Sequence, residues 1–116
     1  MTDPDCLFCR IVAGAVPATI VYSDADVVAF RDINPHAPVH VLVVPRLHYA
    51  DAAALAAADP ALVGAMVSGA RSVAAGEGVE KSGYRLIFNT GPDAGQTVFH
   101  AHLHLLGGGP LRLTMA

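Results

Sequence analysis

The chain has 116 residues, 53% hydrophobic and 15% charged, with a formal net charge of −3 and only two cysteines. That length supports one core and a single domain over residues 1–116, and the composition excludes a disordered chain or a disulfide-framed secreted module. Scattered basic residues exclude a nucleic-acid polymer as partner. The absence of any 18-residue apolar run excludes a membrane span, and the acidic start, with no signal-peptide pattern, implies a cytoplasmic protein.

In chain order, Asp5 can cap a short helix over Cys6 to Ala13, with Gly14 at its end and Leu7, Phe8 and Ile11 on its apolar side. Thr19 to Tyr22 and Val27 to Arg31 read as a hairpin across the Ser23 to Asp26 turn. A loop from Asp32 follows, holding Pro35, His36 and Pro38, which reads as surface. Val39 to Val44 is a third strand stopped by Pro45, with His40 sharing a face with Leu42 and Val44. Asp51 can cap an alanine-rich helix, and Asp59-Pro60 starts the longest helix. That helix turns Leu62, Val63, Met66, Val67, Ala70, Val73 and Ala74 to one side and ends near Gly76 and Gly78. Gly83 to Asn89 and Val98 to Leu106 complete five strands. The order predicts an α+β domain: a five-stranded antiparallel sheet with one long and one or two short helices.

The last strand carries the chemistry. His100, His102 and His104 alternate with Phe99, Ala101, Leu103 and Leu105, which sets three imidazoles on one face about 6.6 Å apart, too far to stack on each other. Imidazole serves near neutral pH as nucleophile, general acid or base, and metal ligand. Just upstream, Gly91-x-x-x-Gly95-Gln96-Thr97 is a glycine-bearing turn of the kind that brings backbone N–H groups to an anion. There is no phosphate-loop motif for kinase or NTPase chemistry, and no His-Glu-x-x-His element for a zinc hydrolase with an open coordination position.

The run Asn89-x-Gly91-x-x-x-Gly95-Gln96-Thr97-Val98-x-His100-x-His102-x-His104-Leu105-Leu106 resembles the signature of the histidine triad (HIT) superfamily, and the likeness extends from Cys6 to about Gly108. The Leu-Gly-Gly after the triad is similar to the Hint branch. The resemblance implies a HIT-like fold and a homodimer with joined sheets. The implied activity is nucleotidyl hydrolysis of purine nucleoside phosphoramidates, of the adenosine 5′-phosphoramidase type, through a nucleotidyl-histidine. Its partners are then a purine mononucleotide or its phosphoramidate. Alternatives are a dinucleoside polyphosphate hydrolase of the same superfamily and a non-catalytic nucleotide-binding or scaffold protein.

By the same resemblance, His102 is the nucleophile, His104 a hydrogen-bond donor to the phosphoryl group or leaving group, and His40 a proton relay. Leu7, Phe8, Ile11, Phe30 and Ile33 wall the base, and Asp32 accepts from the ribose hydroxyls. Asn89, Gly95, Gln96, Thr97 and Val98 surround the phosphate. Cys6-x-x-Cys9 has no preceding strand, which argues against a thioredoxin-like redox motif. Two sulfurs and two imidazoles make a closed zinc tetrahedron, and the resemblance supplies the set for a structural zinc: Cys6, Cys9, His48 and His100. The end, Gly109 to Ala116, departs from the aromatic, proline-rich tail common in Hint-type chains.

Overall fold

A computed structural model of the chain describes residues 2–112; Leu113 to Ala116, half of the atypical tail, lie outside it. The strands are β1 (Ile20–Ser23), β2 (Val27–Arg31), β3 (Val39–Pro45), β4 (Tyr84–Phe88) and β5 (Leu103–Gly107), and the helices α1 (Leu7–Val12), α2 (Ala52–Ala58) and α3 (Pro60–Gly76). All five strands pair antiparallel in the order β1-β2-β3-β5-β4, so the last strand is inserted between the third and fourth. Among the described residues, no helix is long and apolar enough to cross a membrane.

Alternation along the strands divides the sheet into two faces. Val27, Ala29, Val41, Val43, Leu103 and Leu105 point into the main core beneath α2 and α3, with Leu55, Met66, Ala70 and Val73. The opposite face carries Val28, Phe30, Leu42 and Val44, and Phe8 of α1 packs onto it. In the register between β3 and β5, His104 stands directly across from Leu42, which puts His104 and His40 on this second, α1-bearing face. One face of the sheet therefore builds stability and the other presents imidazoles.

Local signals explain most element ends. Asp24 Oδ1 accepts from the backbone N–H groups of Asp26 and Val27, closing the first hairpin. Asp51 caps α2 through the N–H of Ala54 at 2.8 Å, and Asp59 caps α3 through that of Leu62 at 3.2 Å. Gly78, at φ 74°, takes the left-handed turn just after α3.

Three expectations need correcting. The residue at the N-cap of α1 is Cys6, whose Sγ accepts from the N–H of Cys9; the Asp5 backbone N–H instead donates to Asp3. The fifth strand starts at Leu103, not Val98: residues 98–102 leave the ladder although their alternation continues. Val67 is 43% exposed and lies off the apolar face of α3. Gly69 lies on that face instead, where a Cβ would stand 3.0 Å from Val27 Cγ2. This glycine, which costs helix propensity, allows α3 to settle closely on the first hairpin.

Candidate active site and metal centre

The end of β3, the start of β5 and the segment before β5 meet α1 on the imidazole-bearing face. Their backbone partners settle which ring nitrogens carry protons. His102 Nδ1 donates to the carbonyl of His100 at 2.7 Å, so in the neutral ring Nε2 keeps its lone pair. His40 Nδ1 accepts from the backbone N–H of His36 at 3.0 Å, which puts the neutral proton of His40 on Nε2. That Nε2–H then donates to His104 Nδ1 at 3.0 Å, leaving His104 with its proton on Nε2. Three buried or half-buried rings thus have defined tautomers, each fixed ultimately by a peptide group. The rings of His102 and His104 meet edge to face with centroids 4.9 Å apart. The rings are thus closer than the strand repeat of about 6.6 Å between alternate residues.

Burial keeps these rings neutral. It lowers the pKa of His102 and of His40, and takes His104 down to about 4, the neighbouring rings adding to the effect at His104. Phe8 covers His102 edge-on at 5.1 Å between centroids.

Beside His102 and His104 opens a cavity of about 320 Å³. Leu7, Phe8, Ile11, Phe30 and Leu42 give it an apolar floor, Asp32 and Ile33 stand at one side, and Thr97 and Val98 at the other. Ile33 is 92% exposed, an apolar side chain held at the mouth with nothing over it. Asp32 receives the N–H of Asn34 on one carboxylate oxygen, and the other lies 3.4 Å from His40 Nε2.

Asn89, Gly95 and Gln96 do not line this cavity. Gln96 is 3% exposed and its amide is occupied: Nε2 donates to the carbonyls of Ala50 and Val98, and Oε1 accepts from the N–H of Gly91. The N–H groups of Gly95 and Gln96 are likewise used inside the turn, on Pro92 and Gly91. The glycine-bearing turn is therefore braced by its own glutamine, and Thr97 and Val98 are the part of it that reaches the cavity.

A second cluster lies behind the first. Cys6 Sγ and Cys9 Sγ are 3.4 and 3.5 Å from His100 Nδ1, Cys9 Sγ is 3.5 Å from His48 Nδ1, and the two imidazole nitrogens are 3.3 Å apart. His100 Nε2 donates to the carbonyl of Pro45 at 2.9 Å, so Nδ1 offers a lone pair to the cluster. All four donor atoms lie within 4.8 Å of one another. A tetrahedral zinc with Zn–S of about 2.3 Å and Zn–N of about 2.0 Å holds S and N donors about 3.5 Å apart and N donors about 3.3 Å apart, so this donor set fits the ion. Burial pushes the Cys9 thiol up and His100 down to about 4; a divalent cation would stabilise the thiolate and favour the neutral imidazole.

Asp32, His40 and His104 form another group close enough to share a cation. There the His36 N–H keeps the proton of His40 on Nε2, the atom a metal would need, and that bond favours hydrogen bonding over coordination. Sequence reasoning missed the part played by His36, since its contribution is a peptide N–H and its exposed side chain signals nothing.

The comparisons with known proteins agree with this fold. The HIT domain family model matches residues 13–111. A purine nucleoside phosphoramidase of Escherichia coli is 43% identical over 105 residues, 90% of this chain and 88% of that protein. A 14 kDa zinc-binding protein of Zea mays is 41% identical over 111 residues, 93% of this chain and 85% of that one. The structure of a HIT family hydrolase from Clostridium thermocellum superposes with a TM-score of 0.94 at 43% identity, covering 99% of this chain and 100% of that one. The chain belongs to the HIT family.

Proposed function

We propose that this protein is a nucleotidyl hydrolase that cleaves the P–N bond of purine nucleoside 5′-phosphoramidates through a covalent intermediate on His102. The observation that carries the reading is the bond from His102 Nδ1 to the His100 carbonyl, which leaves Nε2 as an unprotonated nucleophile beside a nucleoside-sized cavity. The activity named for the Escherichia coli relative supports the choice of substrate.

A nucleobase fits over the apolar floor of Leu7, Phe8, Ile11, Phe30 and Leu42 with Ile33 beside it at the mouth, and Asp32 accepts from the ribose hydroxyls. His102 Nε2 attacks the α-phosphorus and the P–N bond breaks. The departing nitrogen accepts a hydrogen bond from His104 Nε2–H and leaves with a proton taken from solvent, while the bond from His40 Nε2–H to His104 Nδ1 holds that donor in place. Water then attacks phosphorus and releases a proton to solvent, the P–N bond to His102 breaks, and the nucleoside monophosphate leaves. Thr97 and Val98 line the cavity, and their backbone N–H groups would stabilise charge on the phosphoryl oxygens.

Zinc held by Cys6, Cys9, His48 and His100 would be structural, since four protein donors leave no open position. The Zea mays relative supports this reading. Thiols that serve as ligands must stay reduced, which favours the cytoplasm. Strand β4 is a sheet edge whose Leu86, Ile87 and Phe88 are only half-buried; a second copy pairing there would form a homodimer and remove the edge.

Mass spectrometry of protein quenched during turnover of adenosine 5′-phosphoramidate tests the proposal. A nucleotidyl adduct on His102, absent from His102→Ala, is expected. No turnover and no adduct would overturn it.

A further inference from the structure

His100 belongs to both clusters, by different atoms. Its ring joins Cys6, Cys9 and His48 through Nδ1, and its backbone carbonyl holds the Nδ1 proton of His102. The segment between them has no ladder to fix it, because β5 begins only at Leu103. What anchors it is the His100 ring, the bond from His100 Nε2 to the Pro45 carbonyl, and the bond from the Ala101 N–H to the Tyr49 carbonyl at 2.7 Å. Both acceptors sit at the end of β3 or in the loop that carries His48, so the His48 position and the His100 carbonyl are mechanically joined.

The cluster is also accessible. Cys6 and His48 are only partly buried, and both line a cavity of about 440 Å³ whose rim carries Asp3 and Asp5. Two carboxylates at that mouth raise the local concentration of a dication. A metal at the cluster can exchange with solvent through this opening, whereas His100 itself is 0% exposed.

We infer that metal occupancy of the Cys6–Cys9–His48–His100 cluster orients the nucleophile, by fixing the His100 carbonyl that holds His102 in its Nδ1–H tautomer. The inference rests on the reading of the cluster as a zinc site and of His102 as nucleophile. With the four donors tied, the carbonyl is a rigid acceptor. With them released, thiols and imidazoles must satisfy one another through weak S–H bonds, segment 99–102 loosens, and His102 samples the tautomer that blocks Nε2. His100 is in this sense a positioning residue for His102, and the metal acts without touching substrate.

The test uses protein labelled with nitrogen-15 in its histidines, at neutral pH, in three forms: zinc-loaded, stripped with a chelator, and the His48→Gln variant. Metal content and circular dichroism are recorded on each sample. Loaded protein is expected to show His102 only as the Nδ1–H form. Stripped protein should show a mixture of tautomers, about tenfold faster exchange of the Ala101 and His102 amides, and about tenfold slower single turnover with AMP affinity changed less than about twofold. Adding zinc should restore the stripped wild type but not the variant. Cys9→Ser serves as second variant if His48→Gln unfolds. A folded, metal-free protein with an unchanged His102 tautomer and unchanged exchange would overturn the inference. Wild type that takes up no zinc would overturn it together with the zinc reading. If adenosine 5′-phosphoramidate is no substrate, the tautomer and exchange measurements decide the inference separately from the proposed activity.

Discussion

His40 Nε2 lies 3.0 Å from His104 Nδ1, and the other nitrogen of His40 is occupied by the peptide N–H of His36. A single backbone donor therefore sets the tautomers of two imidazoles in succession, and the outcome is a protonated Nε2 on the ring nearer the cavity. The two histidines come from β3 and β5, neighbours only because the last strand of the chain enters between the third and fourth. The fold thus brings the two rings together, and a peptide group sets the direction of the hydrogen bond between them.

Replacing His40 removes the donor that fixes His104. His40→Ala is expected to lower kcat by about 100-fold with little change in KM, since the cavity walls remain intact. His36→Ala, which keeps the peptide N–H, should leave kcat within about threefold of wild type. Steady-state kinetics on the two variants checks the distinction, and equal losses would mean that the His36 side chain also contributes.

Acid should destabilise the protein through the same rings. The folded pKa of His104 is about 4, below the unfolded value of about 6.5, so between these values the unfolded state binds more protons. Stability contributed by keeping this ring neutral is present above pH 6.5 and is lost as pH falls toward 4. The loss from His104 alone is on the order of 1–2 kcal/mol between pH 7 and 5. Urea melts of wild type and His104→Gln at both pH values isolate it: wild type should lose more stability than the variant.

The parts of this architecture that were legible in the sequence are those encoded locally. Asp51 and Asp59 announce their helices because a cap and the N–H it accepts lie three residues apart. The triad was legible as chemistry, but its alternation from Val98 to Leu106 concealed that only Leu103–Gly107 pairs in the sheet. Side-chain period reports which way residues face and says nothing of whether a neighbour strand is present. Gln96 reads as a phosphate ligand because an amide after a glycine turn can serve either way; in the structure its amide is taken up by three backbone partners, one of which, Ala50, lies outside the turn and its neighbours. The His36 N–H was invisible for a plainer reason: every non-proline residue has one.

Two glycines of α3 should respond in opposite directions to gaining a side chain. Nothing lies within 4 Å of a Cβ at Gly64, so Gly64→Ala gains helix propensity and should stabilise by about 0.5–1 kcal/mol. At Gly69 a Cβ meets Val27 at 3.0 Å and Tyr22 at 3.4 Å, and the larger side chain of Gly69→Val would press into the first hairpin. Overpacking there should destabilise by about 1–3 kcal/mol despite the better propensity. Chemical denaturation of each variant, with unchanged m-values, would establish both signs; equal effects would remove the close approach of α3 as the reason for glycine at position 69.

Gln96 offers the clearest separation of structural from catalytic residues. Its buried amide satisfies the Gly91 N–H and the carbonyls of Ala50 and Val98, tying the turn before the triad to the loop that enters α2. Gln96→Leu keeps similar volume and leaves three backbone groups without their partner, at a cost of about 2–3 kcal/mol. Thr97 and Val98 hang from this turn, so the variant should also lose phosphate affinity, seen as weaker AMP binding. Restoring stability should restore binding if the role is bracing: adding Gly64→Ala, remote from the cavity, is expected to recover part of both. Full stability with lost AMP affinity in Gln96→Leu would instead mean that the amide contacts the phosphate directly.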